Sequence, residues 1–451
     1  MKIRFLGGVD TVTGSRHLLE TSRRRVLIDC GLYQGVKTLR RRNWNAFPVD
    51  PASIDAVILT HAHIDHSGYL PVLVKNGFKG PIFCTPATLE LCRVLLPDAG
   101  HLQEEDARYA NRKKYSRHEK AEPLFTVDDA RHALEFFETR QFEKTFSPTD
   151  EMKATFSHAG HILGSACVHL RHEEASITFS GDVGRQNDPI MHPPKPLGPA
   201  DYLVLESTYG DRLHSEEDPM DSLAQAINPA LARGGIALFP AFAVGRAQLL
   251  LHLIHELQKR KHVPNVPVFL NSPMAISATE IFNRNHHEHR LSPEQCQAID
   301  EGTWFVRSVE ESIELTARRK PAIIISASGM ASGGRVLHHL KTLVTDHRNS
   351  VIFAGFQAPG TRGDAMVNGA EKIKIHGAYY PVRAEIHNLD SLSAHGDYRD
   401  ILSWLEHSGI KPRNTFITHG EPRASDAMRK HLEEELDWNA EVPEPFSERV
   451  L

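Results

Sequence analysis

The chain has 451 residues, of which 40% are hydrophobic and 24% charged, with a formal net charge of −5 and a pI near 6.6. That length exceeds one simple core and sets two or three domains as the expectation. The slightly acidic balance excludes a global positive field, so any contact with a polyanion must come from local patches. The five cysteines, Cys30, Cys84, Cys92, Cys167 and Cys296, are odd in number and contain no CxxC pair. They argue against a disulfide framework or a structural zinc finger and for a reducing, cytoplasmic compartment. Met1 to Gly8 reads directly into a strand and turn, so no signal peptide is expected, and no apolar run approaches the roughly 18 residues of a membrane span.

Residues 1 to 205 read as short strands over 3–6, 17–20, 25–29, 56–60, 81–84, 153–157, 166–172, 176–180 and 202–206, several separated by glycine turns. Residues 86–145 break that pattern; they are charged and helical in character, and 127–142 is the best candidate for an amphipathic helix. From 207 to 375 strand and helix alternate: strands over 236–240, 266–271, 322–326 and 351–355, helices over 221–233, 246–259, 274–283 and 334–345. In the second of these helices Leu249, Leu250, Leu253, Ile254 and Leu257 recur at helical spacing. This rhythm predicts a parallel, doubly wound α/β unit, whose ligands bind beyond the carboxyl ends of its strands. After 376 the short-strand style returns, with strands over 383–386 and 415–418 and helices over 397–406 and 424–435. The expected organisation is one β-rich domain, 1–206 and 376–451, interrupted by an α/β insert at 207–375.

The densest chemistry is Thr60-His61-Ala62-His63-Ile64-Asp65-His66-Ser67-Gly68, four metal-binding side chains leaving the end of an apolar strand. Three histidines and an aspartate are poor choices for packing there. Three further strand-end stations supply similar groups: His161 in His158-Ala159-Gly160-His161, Asp182 in Ser180-Gly181-Asp182, and His419 in Thr418-His419-Gly420. Each alone reads as an ordinary turn; jointly they suggest a dinuclear centre. One ion would take His61, His63 and His161, the other Asp65, His66 and His419, with Asp182 between them. Nitrogen and carboxylate ligands without thiolate suit two Zn2+ per chain, with Mn2+ or Fe as alternatives. Asp29, in Leu27-Ile28-Asp29-Cys30-Gly31, fits a role holding a ligand histidine or the loop from behind.

Asp29, His61-x-His63-x-Asp65-His66, His161 and Asp182 resemble the leading motifs of the metallo-β-lactamase fold. Glu206-Ser207-Thr208-Tyr209-Gly210, Ser393-Ala394-His395-Gly396-Asp397 and Thr418-His419-Gly420 resemble motifs A, B and C of its β-CASP branch. Taken in order they cover nearly the whole chain and are similar to the bacterial and archaeal relatives of the cleavage and polyadenylation specificity factor nuclease. The resemblance implies an αββα metallo-β-lactamase sandwich with an inserted parallel-sheet β-CASP domain. The RNA-binding KH domains of archaeal members are not expected, since the first strand begins at Ile3.

The implied activity is a zinc-dependent ribonuclease, an endonuclease with or without 5′–3′ exonuclease activity. A water acidified by two cations attacks phosphorus in line, and a general acid opposite it protonates the leaving alkoxide, which yields 5′-phosphate and 3′-hydroxyl ends. His395 is the candidate acid and Glu206 its partner, with Asp65 also at the chemistry. Phosphate or RNA binding is expected from the insert. Ser328, Gly329, Gly333 and Gly334 lie in a glycine-rich turn that opens a helix; Arg246 and Thr361 follow other strands. Basic runs at 23–25, 40–42 and 112–120, the last including Lys113 and Lys114, read first as solvated faces and second as electrostatic footprints for RNA. A homodimer would widen an RNA surface. Within the same fold the alternatives are a DNA nuclease, disfavoured by the histidine of motif C, and a small-molecule metallo-hydrolase, which would need neither Glu206 nor His395.

Overall fold

The computed structural model describes residues 1–113, 120–215 and 217–451. They form two compact units, one from Met1–Leu213 with His395–Leu451 and one from His214–Ala394.

The first unit is built on two sheets. The seven-stranded sheet contains Lys2–Gly7, Arg16–Glu20, Arg25–Ile28, Ala56–Ile58, Ile82–Cys84 and Phe137–Thr139 in chain order, with Glu448–Val450 added beside Lys2–Gly7. The six-stranded sheet runs Ala440–Glu441, Asn414–Thr418, Tyr202–Glu206, Ala175–Phe179, Ala166–His172, Lys153–His158. Alternation along the strands buries Ile3, Phe5, Leu19, Val26, Ile28 and Ile58 of the first against Phe156, Val168, Leu170, Ile177, Phe179, Val204 and Phe416 of the second. On the outer face of the second sheet, Leu203, Leu205 and Ile417 pack under Ile401, Trp404 and Leu405 of helix Tyr398–Ser408 and Met428 and Leu432 of helix Pro422–Leu436. A helix outside a pair of stacked sheets is the expected sandwich.

Strand Tyr202–Glu206 pairs in parallel with Asn414–Thr418, residue for residue. The two strand ends that carry Glu206 and His419 are therefore adjacent.

The second unit is a six-stranded, wholly parallel sheet in the order Thr303–Phe305, Val268–Leu270, Ala322–Ser326, Ile236–Pro240, Ser350–Phe353, Glu385–Asn388. Its strands read as unbroken apolar runs (Ala-Ile-Ile-Ile-Ser, Ile-Ala-Leu-Phe-Pro), as burial on both faces demands.

Two expectations need correction. The helix predicted over 127–142 stops at Leu134, and Phe137–Thr139 is an edge strand parallel to Ile82–Cys84. A capping box at Thr126 and Asp129 starts that helix, but pairing with the sheet overrides the helical spacing beyond it. The insert also extends past 375: the strand expected over 383–386 lies at Glu385–Asn388 and pairs with Ser350–Phe353, so it completes the second unit's sheet and is not the return of the first domain. No helix of the described residues is long and apolar enough to cross a membrane.

Candidate metal centre

Every ligand candidate sits just past the end of a strand of the first unit. His61 and His63 follow Ala56–Ile58; Asp65 and His66 lie in the single turn Ile64–Ser67. His161 follows Lys153–His158, Asp182 follows Ala175–Phe179 through Gly181, and His419 follows Asn414–Thr418. Folding brings all seven together in two groups. His61, His63, His161 and Asp182 form one, and Asp65, His66 and His419 the other.

In the first group His63 Nδ1 lies 3.2 Å from His61 Nε2 and 3.2 Å from His161 Nε2. Asp182 Oδ2 is 3.4 Å from His61 Nε2 and 3.6 Å from His161 Nε2. In the second, His66 Nε2 is 3.1 Å from His419 Nε2 and 3.2 Å from Asp182 Oδ1, and Asp65 Oδ2 is 3.5 Å from His419 Nε2. Asp182 thus turns one oxygen to each group. Tetrahedral ligands at about 2.0–2.1 Å from zinc stand roughly 3.3 Å apart, close to these separations.

Protonation points the same way. Burial drives His61 and His161 well below the ordinary histidine range and His63 down to about 4, so these rings are neutral and carry lone pairs. Burial also opposes charge on His66, but Asp182 and Asp29 outweigh it and raise that ring. Desolvation favours protonated Asp182, yet His419, His66 and His61 hold it well below the carboxylate range. A neutral imidazole has one N–H, and His61 spends its own on Thr60 (below). Its Nε2 lone pair therefore faces the Asp182 carboxylate oxygen across 3.4 Å, a contact a cation resolves. The donor set fits a pair of divalent cations.

The ring orientations are fixed from behind. Asp29 accepts from Thr60 N at 2.8 Å and Thr60 Oγ1 at 2.9 Å, and its Oδ2 lies 2.7 Å from His66 Nδ1. Asp29 Oδ2 accepts from His66 Nδ1–H, which aims Nε2 at the centre. Thr60 Oγ1, having donated to Asp29, accepts from His61 Nδ1 at 3.1 Å. Thr208 Oγ1 donates to His419 O at 3.2 Å and accepts from His419 Nδ1 at 3.1 Å. Thr60 and Thr208 have no role in the sequence reading; their only signal is a hydroxyl one residue before His61 or two after Glu206. Asp29 and His419 both hold left-handed backbone (φ 58° and 51°), which few non-glycine residues adopt. Asp29 N donates to Ile58 O, and His419 N to Gly8 O, holding these turns.

His395 stands beside the centre, its ring 4.5 Å from that of His161 and 6.1 Å from that of His419. Its Nδ1 lies 3.0 and 3.2 Å from the two oxygens of Glu206. Burial disfavours the charged ring, but Glu206 first, then Asp182 and Asp65, lift it to about 9. Glu206 is held in turn, accepting from Val183 N at 2.7 Å and Thr208 N at 3.2 Å. A bridge between Gly184 and His395, with Gly396 N donating to Val183 O, fixes the second segment where it reaches the centre.

The expected phosphate-binding residues lie in the second unit, at the carboxyl ends of its strands. The turn with Ser328, Gly329, Gly333 and Gly334 meets two others: Gly329 abuts Phe242, Gly363 N donates to Met330 O, and Arg362 Nη1 donates to Ala331 O and Ser332 O. Arg246 is buried, with a guanidinium nitrogen against Gly355. Thr361 is committed to capping helix Arg362–Val367, accepting from Asp364 N and donating to Ala358 O. Lys113 ends the helix Pro86–Lys113, and Lys114 lies outside the described residues.

Residues 13–229 match the metallo-beta-lactamase superfamily, 247–366 the Beta-Casp domain and 379–443 the Zn-dependent metallo-hydrolase RNA specificity domain. Fold and centre thus define a metal-dependent hydrolase of that superfamily. The chain is 33% identical over 439 residues to the ribonuclease TTHA0252 of Thermus thermophilus, covering 96% of each protein. It is 30% identical to the RNase J-like protein of Methanocaldococcus jannaschii (93% of this chain, 92% of that protein) and to the transcription termination factor FttA of Methanosarcina mazei (94% and 67%). A solved structure of a protein of unknown function from Enterococcus faecalis V583 shares the fold at 14% identity, with a TM-score of 0.54 over 100% of this chain and 99% of that one. The chain belongs to the β-CASP ribonuclease family of the metallo-β-lactamase superfamily.

Proposed function

We propose that this protein cleaves RNA phosphodiester bonds with His395 as general acid and two divalent cations at the histidine–aspartate cluster. The observation that carries the reading is the Glu206–His395 pair, 3.0 Å apart and next to His161. Bound cations would supply an acidified water and offset charge on a phosphate oxygen. His61, His63 and His161 would hold one, Asp65, His66 and His419 the other, and Asp182 both; zinc suits the donors, with manganese or iron as alternatives.

The remaining work falls to protein groups. Glu206 accepts a hydrogen bond from the Nδ1–H of His395, fixing the tautomer and leaving Nε2 to carry the proton that is transferred. That proton passes to the departing 3′ oxygen, giving 3′-hydroxyl and 5′-phosphate products. Asp65, at the less buried side of its group, can also orient the attacking water. Ser328, Gly329, Gly333 and Gly334 would offer backbone N–H groups to the RNA backbone, with Arg246 and the Thr361 turn behind them. The five free, buried cysteines suit a reducing cytoplasm. A homodimer belongs to the same reading, and light scattering tests it.

The deciding experiment incubates metal-loaded protein with end-labelled RNA and the matching DNA, beside His395→Ala. The wild type should cut RNA in preference to DNA. The variant should keep its metal and lose roughly 10²–10⁴-fold in rate. Equal cleavage by the variant would remove His395 from the mechanism. The ladder of fragments separates internal cleavage from 5′–3′ trimming.

A further inference from the structure

Helix Lys37–Arg42 and Trp44 have no part in the centre. The helix reads Lys-Thr-Leu-Arg-Arg-Arg, buries none of its residues and has no acid in its first turn. Most other surface arginines of this acidic chain are in ion pairs: Arg24 with Asp150 and Asp55, Arg233 with Glu385, Arg429 with Asp426 and Glu433. Among the described residues, the side chains of Lys37, Arg40 and Arg41 are in neither a salt bridge nor a hydrogen bond. The Arg40 charge is felt by Asp106 of helix Pro86–Lys113; burial raises that carboxyl and Arg40 offsets part of the rise, without an ion pair. Beside the cations Trp44 leaves 61% of its surface in water, an unusual place for an indole.

This surface is held firmly. Buried Asn43 accepts from Tyr33 N at 2.9 Å and donates to Tyr33 O at 2.8 Å, clamping the two ends of the segment together. Tyr33 donates its hydroxyl to Leu6 O, and the buried Arg16 guanidinium lies among the rings of Tyr33, Phe47 and Tyr69. The segment is also tied to the centre: Cys30 N donates to His66 O and Leu32 N to Ile64 O. Lys37 lies five residues beyond Leu32, so it can be no more than about 18 Å from that anchor.

We propose that helix Lys37–Arg42 and Trp44 form a track for single-stranded RNA on the rim of the metal centre, the cations meeting backbone phosphates and the indole stacking on a base. The inference rests on the ribonuclease reading for its direction. A row of cations beside one exposed, immobilised aromatic is how single strands are gripped without regard to sequence. An anionic membrane would call for a broad apolar face as well, which a six-residue helix with Leu39 half-buried does not offer.

The test measures binding of a fluorescein-labelled single-stranded RNA across a salt series, using full-length protein. Wild type is compared with the triple variant Lys37→Gln, Arg40→Gln, Arg41→Gln, and with Trp44→Ala and Trp44→Phe. The triple variant should bind at least tenfold more weakly, and its log–log salt slope should be shallower by about two, at roughly 0.7 per cation for single strands. Trp44→Ala should lose about tenfold with no change in slope, and Trp44→Phe should restore most of the loss. Unchanged affinity and slope in the triple variant overturn the track, as does a loss confined to binding of phosphatidylglycerol vesicles. Wild-type protein that binds RNA with these dependences but never cuts it would overturn the nuclease reading and leave the track standing.

Discussion

Asp182 joins the two clusters of candidate ligands. Its carboxylate is buried and faces histidines of both sets. The threonines behind the ligands give the sharper test. Thr208→Val keeps the shape and leaves His419 Nδ1 without its acceptor; the affinity for metal should fall about 10–100-fold, read by competition with a chelator. An unchanged affinity would reduce Thr208 to a spacer. The proposed acid has a pH signature. His395 is raised above its ordinary value, so its proton is present at neutral pH and lost as pH climbs toward about 9, giving a falling alkaline limb of kcat/KM. With cations bound, the help from Asp65 and Asp182 is neutralised and Glu206 supplies the lift. Glu206→Gln should therefore move that limb to lower pH; a limb that stays in place would mean the pair does not tune the acid. The clustering of the candidate ligands was legible in the sequence because imidazoles and carboxylates at the ends of apolar strands serve no packing purpose. Thr60 and Thr208 were not, because a threonine beside a strand is ordinary and its partner is chosen only by folding.

At the scale of elements, the centre depends on strand-end loops that approach more closely than side chains allow. A Cβ on Gly31 would stand 1.5 Å from Asp65 O, and one on Gly184 2.0 Å from Gly160 O. Gly184→Ala must push the loop of His161 away from that of Asp182. We expect a loss of about 1–3 kcal/mol in stability together with loss of bound metal, seen by thermal melting and metal analysis. A variant that melts as wild type and keeps its metal would show that the loops can slide. Most strands were readable because apolar runs and glycine turns bound them. Phe137–Thr139 was not: it has three residues, and edge pairing with Ile82–Cys84, a tertiary event, decides its form. The close of the insert was misplaced for the same reason, since Glu385–Asn388 gains its place only by pairing with Ser350–Phe353.

For the molecule as a whole, the ligands all belong to the first unit, so metal should stabilise the two units unequally. A ligand that binds only the native form at 100 times its Kd adds about 2.7 kcal/mol. Chelation should accelerate hydrogen exchange in the strand-end segments 59–67, 158–165, 180–184 and 418–421. The parallel sheet of the second unit should be little changed. Equal acceleration in both would show that the units unfold as one.

Thr208 and His419 touch across 211 positions of sequence, and this has a consequence for synthesis. At roughly 5–20 residues per second, a ribosome needs about 10–40 seconds to pass from one to the other. Through most of that interval the nascent chain has already made His61, His63, His161 and Asp182 but not His395, and through all of it His419 is still missing. An enzyme that degrades RNA thus receives its proposed acid and one proposed ligand only near the end of synthesis from the message that encodes it.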